Sequence, residues 1–284
     1  MVVALRFAAV LASAGVMTMG RKPARDLSMN RTGLLIALAV AVAVGLLFGF
    51  YPELDLKLSA LMYDQARGGF WARVDPALLW VRTLTSWLIA LVAAPAVVAP
   101  IIKLILPRRR LLVPGRAVVL MLTTLVLAPG LLTNVLLKDE WGRPRPIDVR
   151  QFGGDDTFVA WWDPRGACPK NCSFVAGEPS GAFWTLAPAA LSPPQWRPLA
   201  YAAALAFGAG AGVVRMAGGG HFFSDVVFAG VLTFLVIWLV HGLLYRWRAT
   251  RITDRAIERA LEFVALRLVG RKPNAVSTDD EPPR

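Results

Sequence analysis

Residues 33–51, 84–102, 117–137 and 226–245 contain no Asp, Glu, Lys or Arg and are almost entirely apolar. Each is close to the roughly 20 residues with which an α-helix crosses the hydrocarbon core of a bilayer. Two weaker runs, 179–192 and 198–214, are short or rich in Gly and Ala, and by length alone the first fits a re-entrant or buried segment. Counting both as crossings gives an all-α, polytopic membrane protein with six transmembrane helices in a bundle. Composition agrees, because 56% hydrophobic and 18% charged residues lie outside the usual soluble range.

The basic residues set the orientation. Arg21, Lys22, Arg25 and Arg31 precede the first run, Lys103, Arg108, Arg109, Arg110 and Arg116 separate the second from the third, and Arg197 follows the fourth. The tail from Arg246 to Arg271 is basic again, whereas loops 52–80 and 138–178 mix both signs. With six crossings, both termini and the basic loops lie in the cytosol and the mixed loops outside. The net charge of +12 then reads as topology and attraction to anionic lipid, not as nucleic-acid binding. This divides the chain into a cytosolic extension (1–32), a membrane domain (33–245) and a cytosolic tail (246–284). Residues 1–20 resemble a weak signal peptide, but cleavage would put the basic stretch that follows on the outer side, so an upstream extension or a surface-lying segment is expected. In the tail, Ile257, Leu261, Val264 and Leu268 recur at helical spacing, as in an amphipathic helix lying on the membrane, and the end reads as disordered.

The outer loop 138–178 is rich in Trp, Gly, Asp and Pro. Trp141, Trp161 and Trp162 suit an interfacial aromatic belt. Cys168 and Cys172 are the only cysteines, and in an oxidising compartment they are close enough to form a small disulfide loop as a staple. A zinc site would need further ligands that are not nearby, and His221 and His241 fall at opposite ends of the last run, so no metal is expected.

Six crossings bring three clusters to one side: "KDEWGRPRP" (138–146), "CSFVAGEPSGAFW" (172–184) and "RMAGGGHFFSD" (215–225). On a helix, His221 and Asp225 would share a face, so the carboxylate could fix the tautomer and leave the other ring nitrogen as nucleophile or base. Gly218, Gly219 and Gly220 allow a close backbone approach. Arg215 supplies a planar donor fork, and Lys138 and Arg145 add two cations. Three cations and an oriented imidazole suit attack on phosphorus, with the cations taking charge that develops on the equatorial oxygens.

These motifs resemble the phosphatidic acid phosphatase type 2 superfamily of integral membrane phosphatases. Lys138 with Arg145-Pro146 has the spacing of the first family motif. Arg215, His221 and Asp225 fit the third, with Val214 in place of the family serine. The second motif, Pro-Ser-Gly-His, departs and allows two registers. One retains Ser180 and Gly181 and puts Ala182 at the histidine. The other matches Ser173, Phe174, Gly177, Ala182 and Phe183, with Ala176 at the serine and Glu178 at the histidine. The second keeps more identities and leaves a proton carrier in place, although nearby cations and a helix N-terminus favour an ionised Glu178.

The resemblance implies a phosphohydrolase that uses no metal or other cofactor, with a site facing the periplasm from a bacterial inner membrane. His221 would form a phosphohistidine, Asp225 would orient it, and Lys138, Arg145, Arg215 and the Gly177 amide would hold the phosphate. Glu178 would protonate the leaving oxygen. The substrate would be an anionic lipid phosphate, and the pattern looks most like the bacterial branch that includes lipid A phosphatases. Undecaprenyl diphosphate and phosphatidylglycerol phosphate are alternatives. So is a catalytically impaired protein that binds or transfers lipid phosphates.

Overall fold

The structure is a computed structural model that describes residues 29, 31–73, 75–247 and 252–268. Residues 1–28 and 269–284 lie outside the described residues, and with them most of the extension and the end of the tail.

Helix α1 (Arg31–Phe50) leads into a short cap of α2 (Glu53–Ala60) and a hairpin of β1 (Tyr63–Asp64) and β2 (Gly69–Phe70). Helix α3 (Pro76–Ile105) starts where the Asp75 side chain accepts the Ala77 amide at 2.8 Å, with proline in the first turn, a strong local start signal. Helix α4 (Gly115–Glu140) follows. Two short helices, α5 (Gly177–Phe183) and α6 (Leu186–Ala190), precede α7 (Arg197–Ala217) and α8 (Phe223–Arg246). An amphipathic helix, α9 (Asp254–Leu268), closes the described chain.

Among the described residues, α1, α3, α4, α7 and α8 are long and apolar enough to cross a membrane. The expected fourth crossing is different. It is broken at Trp184 and Thr185 into α5 and α6, each too short to span alone. The pair nevertheless runs beside α4. The Ser180 hydroxyl lies 3.1 Å from that of Thr133, Trp184 Nε1 donates to the Thr124 hydroxyl at 3.0 Å, and Leu191 packs near Leu120. Its turns are lined by protein: Ser180, Ala182, Trp184, Leu186 and Ala187 are buried. A segment surrounded by other helices needs neither continuous helix nor high hydropathy, because neighbours supply partners for its polar groups.

The helices meet through small side chains. Ala93, Ala96 and Ala99 form the buried stripe of α3, and the Phe183 ring lies directly on Gly208, where any side chain would overlap it. Such contacts are how helices pack in lipid, where apolar surface alone gives no preference for a protein neighbour. Leu35, Ile36, Trp80, Trp87 and Leu91 face outward.

Pro129 lies inside α4 and has no N–H to donate. From Val126 to Leu137 the helix widens to π-type hydrogen bonding, and Asn134 Nδ2 donates to the Pro129 carbonyl at 2.6 Å. The widened stretch ends at Lys138.

Two tryptophans of the 138–178 loop make packing contacts. Trp161 donates to the Gly45 carbonyl at 3.1 Å and lies against Phe228, and Trp141 donates to the Trp161 carbonyl at 2.7 Å, so the loop is fastened to α1 and α8. At the far end, α9 is tied to the bundle by ions. Buried Lys103 lies 3.4 Å from Glu258 and 3.2 Å from Glu262, and Arg116 pairs with Asp254 at 3.0 Å.

Candidate active site

The three motif clusters meet at one end of the bundle. Lys138 is in the last turn of α4, beside the start of α5. A side chain on Gly177 would lie 2.7 Å from Asn134 Oδ1 and 3.3 Å from Lys138 Nζ, so only glycine lets the lysine in. Arg215 is in the last turn of α7. The chain then reverses through Gly219, whose φ of 68° is left-handed and whose Cα side is covered by the Phe70 ring. Gly220 is overlain by the Arg215 guanidinium.

His221 lies between α7 and α8, outside both helices, and is buried. Its Nδ1 is 2.6 Å from the Ser173 carbonyl and 4.0 Å from Asp225 Oδ2. The expectation that Asp225 orients the imidazole directly from one helix face is therefore corrected. Because α8 begins at Phe223, His221 precedes it, and Asp225 folds back to accept the Phe222 amide at 2.9 Å. A carbonyl only accepts, so Nδ1 carries the proton and Nε2 keeps its lone pair. Burial, then the charges of Arg215, Lys138 and Arg145, push the imidazole well below its ordinary pKa of 6.5; the Ser173 carbonyl opposes them. A neutral imidazole with a free Nε2 is a competent nucleophile.

Asp225 belongs to a fully buried ionic cluster. Arg143 NH1 donates to Asp225 Oδ1 at 2.5 Å, and Arg143 NH2 donates to Asp55 Oδ2 at 2.8 Å. Asp55 also accepts the Ser224 amide at 3.0 Å and its hydroxyl at 2.5 Å. The Ser173 hydroxyl donates to Asp225 Oδ2 at 2.5 Å. The Phe222 ring lies under the guanidinium, 4.4 Å from Cζ to centroid. Burying charges costs several kcal/mol each unless they are paired and their remaining sites filled, as they are here.

The cations are held apart from that cluster. Lys138 Nζ donates to Asn171 Oδ1 at 3.0 Å, and Arg145 donates to the Asn171 carbonyl at 2.7 and 3.2 Å. Asn171 has a left-handed φ of 54° and lies in the loop joined by Cys168 and Cys172, whose Cα atoms are 5.7 Å apart. Arg215 has a buried Nε with no hydrogen-bond partner among the described residues, a donor that calls for an acceptor from outside.

Glu178 has a setting unlike that expected of a proton donor. Arg82 of α3 grips its carboxylate with two donors, at 2.7 and 3.3 Å, and Arg215 NH1 lies 3.6 Å away. A carboxylate gripped by a guanidinium fork is ionised. Ser180 is buried, with its hydroxyl hydrogen-bonded between those of Thr133 and Thr233 at 3.1 and 2.8 Å.

Residues 117–249 match the model of the PAP2 superfamily. The chain is also 32% identical over 219 residues to the lipid A 4'-phosphatase of Francisella tularensis subsp. novicida, covering 77% of this chain and 98% of that relative. The chain belongs to the PAP2 superfamily. It is a phosphatase, and its apolar helices make it a multi-pass membrane protein. A shorter match, 40% identical over 117 residues, links it to the lipid A 4'-phosphatase of Rhizobium leguminosarum, covering 41% of this chain and 50% of that one. No solved structure matches it.

Four further residues of this site are not singled out by the sequence motifs. Arg143 sits inside the first motif but is overshadowed by the spacing of Lys138 and Arg145. Arg82 is the only charge in its stretch of α3, and an ionisable residue there marks a functional position by default. Asp55 and Asn171 carry no local signal at all.

Proposed function

We propose that this PAP2 phosphatase removes the 4'-phosphate of lipid A by way of a phosphohistidine on His221. Lys138, Arg145 and Arg215 hold the phosphate oxygens, with the Gly177 amide beside Lys138. The two oxygens of Asn171 stand in for phosphate oxygens on Lys138 and Arg145, and give way when the substrate binds. Nε2 of His221 attacks phosphorus while the bond to the sugar oxygen breaks in line, and the departing oxygen takes a proton from solvent water. The cations take the charge on the three equatorial oxygens. Water then hydrolyses the phosphohistidine, releasing inorganic phosphate and the free imidazole. The observation that carries this reading is the pinned Nδ1 of His221 beside three cations, one with an orphaned donor.

Glu178 holds Arg82 and Arg215 in place as a carboxylate. The loop closed by Cys168 and Cys172 keeps Asn171 at the mouth. The α5–α6 pair acts as the sixth crossing, which puts both termini in the cytosol of a bacterial inner membrane and the site at the periplasmic face. The substrate preference rests on the names of the relatives.

The test is phosphate release by purified protein in detergent with excess chelator. Lipid A, undecaprenyl diphosphate and phosphatidylglycerol phosphate are compared, with His221→Ala alongside. Release from lipid A that survives chelation and vanishes in the variant is expected. Release that persists in the variant would exclude His221 as nucleophile, and preference for another lipid would displace lipid A.

A further inference from the structure

We infer that Asp55, Arg143 and Ser173 are positioning residues for the phosphatase reaction, forming with Asp225 a buried relay that aims His221 through a main-chain carbonyl. This rests on the reading of His221 as nucleophile and goes beyond it by assigning what holds that nucleophile.

The argument starts from which atom touches the imidazole. At 2.6 Å the Ser173 carbonyl makes a full hydrogen bond to Nδ1; at 4.0 Å the Asp225 carboxylate does not. The tautomer and the ring plane are therefore fixed by the position of one peptide group. What fixes that peptide is the Ser173 side chain, whose hydroxyl donates to Asp225, together with the Ser173 amide, which donates to the Arg143 carbonyl at 2.8 Å. Ser173 is thus held from both sides by the same two residues that form the ion pair. Asp225 is held in turn by Arg143 and the Phe222 amide. Arg143 is steadied by Asp55, and Asp55 by both donors of Ser224. Four of these five polar side chains, Asp55, Arg143, Ser173 and Asp225, are wholly enclosed. The fifth, Ser224, is equally enclosed, so no water competes for any link.

The chemical consequence is a division of labour. A carboxylate in direct contact with Nδ1 would chiefly stabilise an imidazolium and raise basicity. A neutral carbonyl there sets direction and tautomer while leaving the ring uncharged, which suits a histidine that must attack phosphorus through Nε2 and not take up a second proton. A shift of about 1 Å in such a nucleophile costs about 10²-fold in rate.

The experiment is rapid-quench measurement of phosphoenzyme formation with radiolabelled lipid phosphate, on the full chain in detergent. Vanadate affinity is measured in parallel. Wild type, Ser173→Ala, Asp55→Asn, Asp225→Asn and the Ser173→Ala/Asp225→Asn double variant are compared. Ser173→Ala leaves the Arg143 pair with Asp225 and Asp55 in place, so it decides the matter if Asp55→Asn does not fold. The expected result is acid-labile phosphoenzyme formed about 10- to 100-fold more slowly in each single variant. Vanadate affinity stays within about threefold, and the double variant is no slower than Asp225→Asn alone, because the two act along one path. Wild-type rates in Ser173→Ala, or losses that multiply in the double variant, would overturn the relay. Absence of any phosphohistidine in the wild type would instead overturn the nucleophile assignment on which it rests.

Discussion

Gly220→Ala offers a direct measure of what the position of Arg215 is worth. A Cβ at residue 220 would stand 2.6 Å from Arg215 NH2, 2.9 Å from Cζ and 3.3 Å from Nε. Ordinary contact distances are about 3.5–4.0 Å, so the guanidinium must retreat by roughly 1 Å. It is the end of a flexible side chain, and the retreat therefore costs little stability. It costs alignment instead, since the arginine is mostly buried and faces Glu178. A misplacement of that size corresponds to about 10²-fold in rate, or about 2.7 kcal/mol of transition-state stabilisation. Gly220 is not among the left-handed glycines, so alanine brings no backbone penalty there. Gly218→Ala is the internal control, because its Cβ would meet nothing closer than 3.6 Å. The assay is kcat/KM for lipid phosphate and the inhibition constant of vanadate for both variants. If Gly220→Ala stayed within about threefold of Gly218→Ala on both, Arg215 would not be a phosphate ligand in this geometry.

Two further outcomes follow from the site. Glu178→Gln is expected to lower turnover about equally for good and poor leaving groups, since the carboxylate holds Arg82 and Arg215; a loss confined to poor leaving groups would restore it as the proton donor. For His221, the folded state binds a proton less readily than the unfolded chain, so stability is fully present above pH 6.5 and falls as pH drops below it, by up to about 1.4 kcal/mol per pH unit until the folded imidazole itself titrates. Thermal midpoints in detergent from pH 8 to pH 5 should therefore fall more steeply for wild type than for His221→Asn, and parallel curves would contradict a neutral, buried His221.

Much of this arrangement was legible in the chain itself. Apolar runs marked the long helices because a bilayer allows little else. Motif spacing brought Lys138, Arg145, Arg215 and His221 to one end, since each cluster sits at a helix terminus. The reading failed where tertiary partners decide the outcome. The fourth run broke into two helices because α4 and its neighbours enclose it. Asp225 missed His221 because the helix starts two residues later than an i,i+4 face requires. Arg82 reaches Glu178 across 96 residues and Asp55 reaches Ser224 across 169, and no local pattern encodes either meeting.

That last span also bears on how the protein is made. Chains are synthesised from the N-terminus at about 5–20 residues per second, so Asp55 is delivered to the membrane well before Ser224 exists. Until α8 arrives, Asp55 lacks both donors of Ser224, Arg143 has Asp55 and the Val159 carbonyl but not Asp225, and the peptide that aims His221 has the Arg143 carbonyl but no acceptor for the Ser173 hydroxyl. A nascent or truncated chain can therefore insert without becoming a phosphatase, and hydrolysis begins only when the last long helix closes the bundle.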